Sequence, residues 1–206
     1  MVLSWNRRGA FTLIELLIVI AIIAILALIA IPNFLEAQTR SKVSRVRADM
    51  RSMAIALETY FVDWNQYPYG ADADDLSAPA MPPVEAFECH LPVVITTPIA
   101  YITRLLPDTF FNQGGGHGKN TPFHYNETET AKRLGEDGFV SDLTLALTGS
   151  RSTAVRWYMF SHGPDGDHDE SLDGSVPNLA TRLYDPTNGT ISNGDIYLFG
   201  PGYSFR

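Results

Sequence analysis

The sequence predicts an α+β fold: a long N-terminal α-helix packed on a small antiparallel β-sheet, with a loop-rich C-terminal region. Three observations predict it. An apolar run near the N-terminus passes directly into a stripe of apolar residues spaced by three and four, ending near Trp64. Three short β-branched or aromatic segments follow much later, at 122–126, 154–160 and 195–199. Between and around them the chain is rich in glycine, proline and aspartate, the residues of turns.

The helix divides by chemistry. Residues 16–31 read LLIVIAIIAILALIAI, sixteen apolar residues without a break, and extending the run back to Phe11 admits only Thr12 and Glu15 as exceptions. At about 1.5 Å per residue, 21 helical residues reach roughly 30 Å, the thickness of a bilayer core. Arg7 and Arg8 precede the run, which keeps the N-terminus cytoplasmic and sends the rest across. No small-x-small cleavage site closes the run, so an ordinary secretory signal peptide fits poorly. Glu15 fits neither a signal peptide nor a plain anchor. A carboxylate in an apolar helix costs about 2.5–3.5 kcal/mol on insertion scales, which marks it as functional. No Lys or Arg lies between Thr12 and Thr39, so its cationic partner is expected from another molecule. A cut between Ala10 and Phe11 would supply one, the new amine of Phe11.

Beyond Pro32 the helix turns amphipathic. Val43, Val46, Met50, Met53, Leu57, Tyr60 and Trp64 fall on one face, and Arg40, Lys42, Arg45, Arg47, Asp49 and Arg51 on the others. The stripe is read as the face that packs on the protein's own sheet, and Tyr67-Pro68-Tyr69-Gly70 stops the helix. Membrane run and stripe together make a rod of about 50 residues, or roughly 80 Å.

The remaining chain is acidic. The formal net charge is −8, yet seven of the 15 basic residues lie at or before Arg51, which leaves 8 basic against 20 acidic groups beyond it. Such a body argues against nucleic acid as a partner and allows cation binding. The single cysteine, Cys89, excludes an intrachain disulfide and is read as a partly buried thiol. Residues 71–91 and 112–121 read as irregular loops, and 134–147 as a short helix.

Arg7-Arg8-Gly9-Ala10-Phe11-Thr12-Leu13-Ile14-Glu15-Leu16 resembles the class III signal of the type IV pilins and type II secretion pseudopilins. The resemblance implies a leader of residues 1–10, cleaved after Ala10 by a prepilin peptidase, and N-methylation of Phe11. It also implies a membrane and filament-core helix over 11–31, an amphipathic continuation over 32–65, and a globular head over 66–206. Glu15 then takes the fifth place of the mature chain and Pro32 the place of a helix-kinking proline; Phe11, Glu15 and Pro32 become the assembly residues. The chain departs from the pattern in one place, where Gly9-Ala10 stands for the usual Gly before the cut. The implied partners are other subunits in a homopolymer, the peptidase, an inner-membrane assembly platform and, before assembly, membrane lipid. The implied location is the inner membrane, then a periplasmic or cell-surface filament.

Asp165, Asp167 and Asp169 alternate, and Asp173 follows. Alternating carboxylates on a loop can converge on one hard cation. The segment is no EF-hand, because Glu170 and Val176 occupy the positions that motif gives to Gly and Glu. Major pseudopilins bind calcium in their C-terminal loops, so the resemblance implies structural calcium here, with Asp185, Asn188 and Asp195 as weaker candidates. Other patterns carry less. Gly114–Lys119 lacks the flanking Gly and Ser or Thr of a phosphate loop, having Gln113 and Asn120. His90, His117, His124, His162 and His168 show no zinc spacing, and Asn126 and Asn188 head chance glycosylation patterns.

These readings describe a structural subunit and no enzyme. Within the resemblance, the missing disulfide and acidic loop lean toward a major pseudopilin of type II secretion. The long 71–121 region leans toward a surface pilin for adhesion, motility or DNA uptake. A membrane-anchored binding protein that borrows the signal is the reading from another class.

Overall fold

The computed structural model describes residues 11–72, 77–79, 89–111, 121–134, 155–166, 183–187 and 194–201. The helix expected at 134–147 and the loop at 112–121 therefore fall almost wholly outside the described residues. The chain divides into two compact units, the first ending at Gln38 and the second beginning at Thr39.

Helix α1 runs Leu13–Trp64 and continues through Pro32. Proline removes one backbone donor from a helix and crowds the carbonyl four residues earlier. Here that lost bond is the one to Leu28. In the first unit the described part of the helix is exposed along almost its whole apolar surface.

The second unit holds the core. Val43, Val46, Met50, Met53, Leu57 and Tyr60 are buried as the spacing predicts, and Ala56 joins them. Trp64 departs from the expectation. It is 53 % exposed, because the helix ends there and its indole N–H donates sideways to the Tyr101 hydroxyl at 2.9 Å. Tyr101 in turn donates to Asp63 at 2.9 Å.

Among the described residues the sheet has three antiparallel strands in the order β1 (His124–Glu127), β2 (Trp157–Ser161), β3 (Ile196–Gly200). Each lies within a few residues of its expected place. The strand rule of alternating sides assigns the two faces. Tyr125, Trp157, Met159, Ile196 and Leu198 pack with the helix stripe. Tyr158, Phe160, Tyr197 and Phe199 form an aromatic layer on the other side, with ring centroids 5.3–6.4 Å apart. Strand β2 is buried at every position, which explains its near-continuous apolar sequence.

A short helix that the sequence reading missed, α2 (Thr128–Leu134), follows β1 directly. Its first free N–H groups, those of Glu129 and Thr130, donate to the Glu127 carboxylate. Glutamate ranks outside the usual N-cap residues, so the composition rules pass over this start. The Thr130 hydroxyl then accepts the Gly70 N–H at 3.0 Å, and the Tyr125 hydroxyl donates to the Pro68 carbonyl at 3.1 Å. These bonds fix the turn that leaves α1. Beyond it, residues 89–91 add to the edge of β1 through Tyr125 N–H to Cys89 O and Leu91 N–H to Phe123 O. Cys89 is fully buried there, more deeply than the sequence suggested. A 3-10 turn, Val93–Ile95, then sets Ile95 into the core.

Candidate functional site

The N-terminal end of α1 is built by local chemistry. Thr12 precedes the first helical residue, and the Glu15 N–H donates to its Oγ1 at 3.2 Å. In return Glu15 Oε2 accepts the Thr12 N–H at 2.9 Å and the Thr12 hydroxyl at 2.8 Å. This is a reciprocal capping box, which satisfies donors that a helix start leaves without intrahelical partners. Its signal is present in the sequence as Thr12-x-x-Glu15, but a carboxylate in an apolar run reads first as a charge in search of a cation. The two roles are compatible: a carboxylate has four lone-pair sites, and the cap occupies one oxygen.

Around this cap the surface is apolar and open. Phe11 is 72 % exposed, and Leu13, Ile14, Leu16, Leu17 and Ile18 are exposed beside it. Among the described residues α1 is the one helix long and apolar enough to cross a membrane. A helix whose backbone is satisfied internally and whose apolar side chains stand exposed is suited to lipid or to identical helices. Pro32 sits at the end of the run. Gly9 and Ala10, the expected cleavage residues, lie outside the described residues.

The acidic loop is described in part. Asp165 Oδ2 accepts the Gly194 N–H at 3.1 Å, so the carboxylate ties its turn to the strand leading into β3. Gly163 and Gly166 bracket that turn with φ of 72° and 71°, the left-handed region open to glycine. Asp167, Asp169 and Asp173 lie outside the described residues. Among the described residues no group of three or more His, Cys, Asp or Glu side chains is arranged to hold a metal ion. Asp185 spends one carboxylate oxygen on the Thr187 N–H and hydroxyl, at 2.8 and 2.7 Å, which hold its carboxyl below the ordinary range. Asp195 is buried. Asn126 is no glycosylation acceptor, since it is fully buried and its Nδ2 donates to the Tyr158 hydroxyl at 3.0 Å.

The fold also gathers residues that no spacing rule groups. His90, His124 and His162 meet on the aromatic side of the sheet, all buried. They are 72 residues apart in sequence from first to last, and only the antiparallel pairing of β1 with β2 brings the latter two together.

Residues 5–31 match the family described as the prokaryotic N-terminal methylation motif. A stretch of 61 residues is 48 % identical to the type IV major pilin protein PilA of Myxococcus xanthus. That match covers 30 % of this chain and 28 % of the relative, so the chain spans less than a third of the length of the curated relative it matches. No solved structure matches significantly. The motif and the identity bear out the resemblance to the type IV pilin family that Phe11 and Glu15 carry.

Proposed function

We propose that this chain is the structural subunit of a type IV pilus-like filament. It would be made as a membrane-inserted precursor, cut before Phe11, methylated there, and polymerised through the exposed apolar length of α1. The observation that carries the reading is the coincidence of three features on one helix start. A methylation motif spans residues 5–31, a capped Glu15 stands within the apolar run, and the run is exposed along its length. Polymerisation supplies the cover that such a helix lacks. The amine of a processed Phe11 on a neighbouring chain can pair with the second oxygen of Glu15 in a low-dielectric surround, where charge pairing is strong.

Two finer readings divide on what the filament does. The match to a major pilin of a pilus favours a surface filament. The acidic C-terminal loop and the single cysteine favour the major pseudopilin of a secretion system, with calcium on Asp165, Asp167, Asp169 and Asp173 restraining the loop in place of a disulfide. Mass spectrometry of sheared fibres and of membranes separates them. A mature chain starting at methylated Phe11 in sheared fibres supports the surface pilin. The same mass confined to the envelope supports the pseudopilus. An unprocessed Met1 precursor alone, in membranes, sinks the filament reading and leaves a simple anchor.

A further inference from the structure

We propose that His124 and His162 form an acid-sensitive latch that holds the sheet's aromatic face and the 89–91 edge segment together, and that opens when the pair takes up a second proton. The latch stands apart from the filament reading and does not depend on it.

The geometry is specific. His124 Nε2 and His162 Nε2 lie 2.9 Å apart, with ring centroids at 4.9 Å and planes within 22°. Two imidazole nitrogens at hydrogen-bonding distance need one N–H and one bare lone pair. A neutral pair satisfies this, and so does a pair carrying one proton, as imidazolium donating to imidazole. A doubly protonated pair does not, because two N–H groups would then point at each other with two positive charges in a buried site. His124 and His162 are only 5 % and 8 % exposed, so water cannot screen that repulsion.

The surroundings fix what one charge can lean on. His90, fully buried, faces the His124 ring at a centroid distance of 4.3 Å and is a third proton acceptor in the cluster. Phe160 stacks on His124 at 4.5 Å and Phe111 packs against His162 at 4.8 Å; both are uncharged. Next to the pair along the chain, Asp108 accepts the backbone N–H of His162 at 3.1 Å and the Ser161 hydroxyl at 2.7 Å. Tyr197 on β3 reaches the far side of Phe160. Asp108 thus bonds the backbone beside the pair, and a single carboxylate there cannot balance two imidazolium charges. The position explains the consequence. His124 begins β1 opposite Phe160, His90 bridges to His124, and His162 follows β2 directly. Separating the pair pulls at all three segments together.

Protonation then couples to folding. An unfolded chain lets each imidazole take its proton near pH 6.5, whereas the folded pair excludes the second. The unfolded state thus binds more protons below that pH, and stability falls as pH falls. For each excluded proton the folding equilibrium constant is about 30-fold smaller at pH 5 than at pH 8. The buried carboxyls of Asp108 and Glu127 act in the opposite sense, so the wild-type profile alone does not isolate the latch.

The test compares the full chain in detergent micelles with His162→Gln, whose amide keeps a partner for His124 but has no proton-binding site. Denaturant unfolding is followed at pH 8, 6.5 and 5. The expected result is an acid loss of about 30-fold or more in the wild type beyond that of the variant. Parallel profiles would overturn the latch. Nitrogen-15 NMR of the wild-type imidazoles gives a second readout that does not depend on the variant folding. The pair should take up one proton while the β1–β2 amides stay protected, and lose that protection with the second. Two bound protons with protection intact would also overturn it.

Discussion

Glu58, near the C-terminal end of α1, accepts the indole N–H of Trp157 on β2 at 3.0 Å. Its other carboxylate oxygen accepts the Tyr67 hydroxyl at 2.9 Å. One helix side chain thus holds both the strand that lies across the core and the turn by which the chain leaves the helix. Burial, with help from the Glu58 charge, pushes the Tyr67 phenol well above its ordinary range, so it remains a donor at any working pH. Glu58→Ala leaves both donors without this acceptor and is expected to cost about 1–3 kcal/mol. Glu58→Gln keeps one acceptor and should cost less. Urea unfolding of the two variants checks the order; equal stability of Glu58→Ala and wild type would show that the clamp contributes nothing.

Trp157 is held from its other side by an absence. It pairs across the sheet with Gly200, and a Cβ placed on Gly200 would overlap the indole ring. Trp157 is among the largest fully buried side chains, so it has no free space to move into. Gly200→Ala must therefore displace the ring from the core and from Glu58. Overpacking of this kind costs about 1–3 kcal/mol. Because the same ring makes the Glu58 bond, Gly200→Ala and Glu58→Ala share part of their effect. The double variant is expected to lose less stability than the two single losses added. Full additivity would mean that the indole keeps its place beside the added methyl group, and that Gly200 does not position it.

The parts of this fold that were legible in the sequence are those carried by periodicity. The three-and-four spacing from Val43 to Tyr60 names the buried face of α1, and the aromatic run at Trp157–Ser161 names the central strand. Local rules reached less far. They missed α2, whose start rests on Glu127, and placed Trp64 in the core although a helix end lets it turn outward. For the assembly site, Phe11 and Glu15 were legible because the motif is contiguous. The bonds between Thr12 and Glu15 were equally local but were hidden by the interest of a charge in an apolar run. The histidine cluster was out of reach. His90, His124 and His162 come from three separate segments, and only strand register makes them neighbours.

Asp108 joins loop to sheet through three accepted bonds, from Phe110 N–H at 2.9 Å, Ser161 Oγ at 2.7 Å and His162 N–H at 3.1 Å. Burial raises its carboxyl above the ordinary range and outweighs those three bonds, which pull the other way. The sign follows. A group that holds its proton more tightly when folded contributes most below its unfolded value of 3.8, and that contribution is lost as pH rises through the folded value. Asp108→Asn does not titrate. Wild type should therefore gain stability relative to Asp108→Asn as pH falls from 7 toward 4. Asp108→Ala, which abandons all three donors, should be the least stable of the three at every pH. Melting temperatures across that range decide it; a wild-type curve that declines faster than the Asn curve on acidification would reverse the assigned sign.

Thr12 tests the helix start without touching the charge. Its Oγ1 accepts the Glu15 N–H and its hydroxyl donates back to Glu15 Oε2, so Thr12→Ala removes two of the three bonds of the cap. N-cap losses of this type cost about 1 kcal/mol, roughly a fivefold change in local opening. Thr12→Ser retains the hydroxyl and should restore the wild-type behaviour. In micelles the amides of residues 13–15 are expected to exchange several-fold faster in Thr12→Ala, while those beyond the first two turns keep the wild-type rate. The same variant separates two uses of Glu15. If the carboxylate serves assembly chiefly as a charge, Thr12→Ala still enters filaments and Glu15→Ala does not. If its value lies in starting the helix, both variants fail together and Glu15→Gln, which can still bond back to Thr12, assembles.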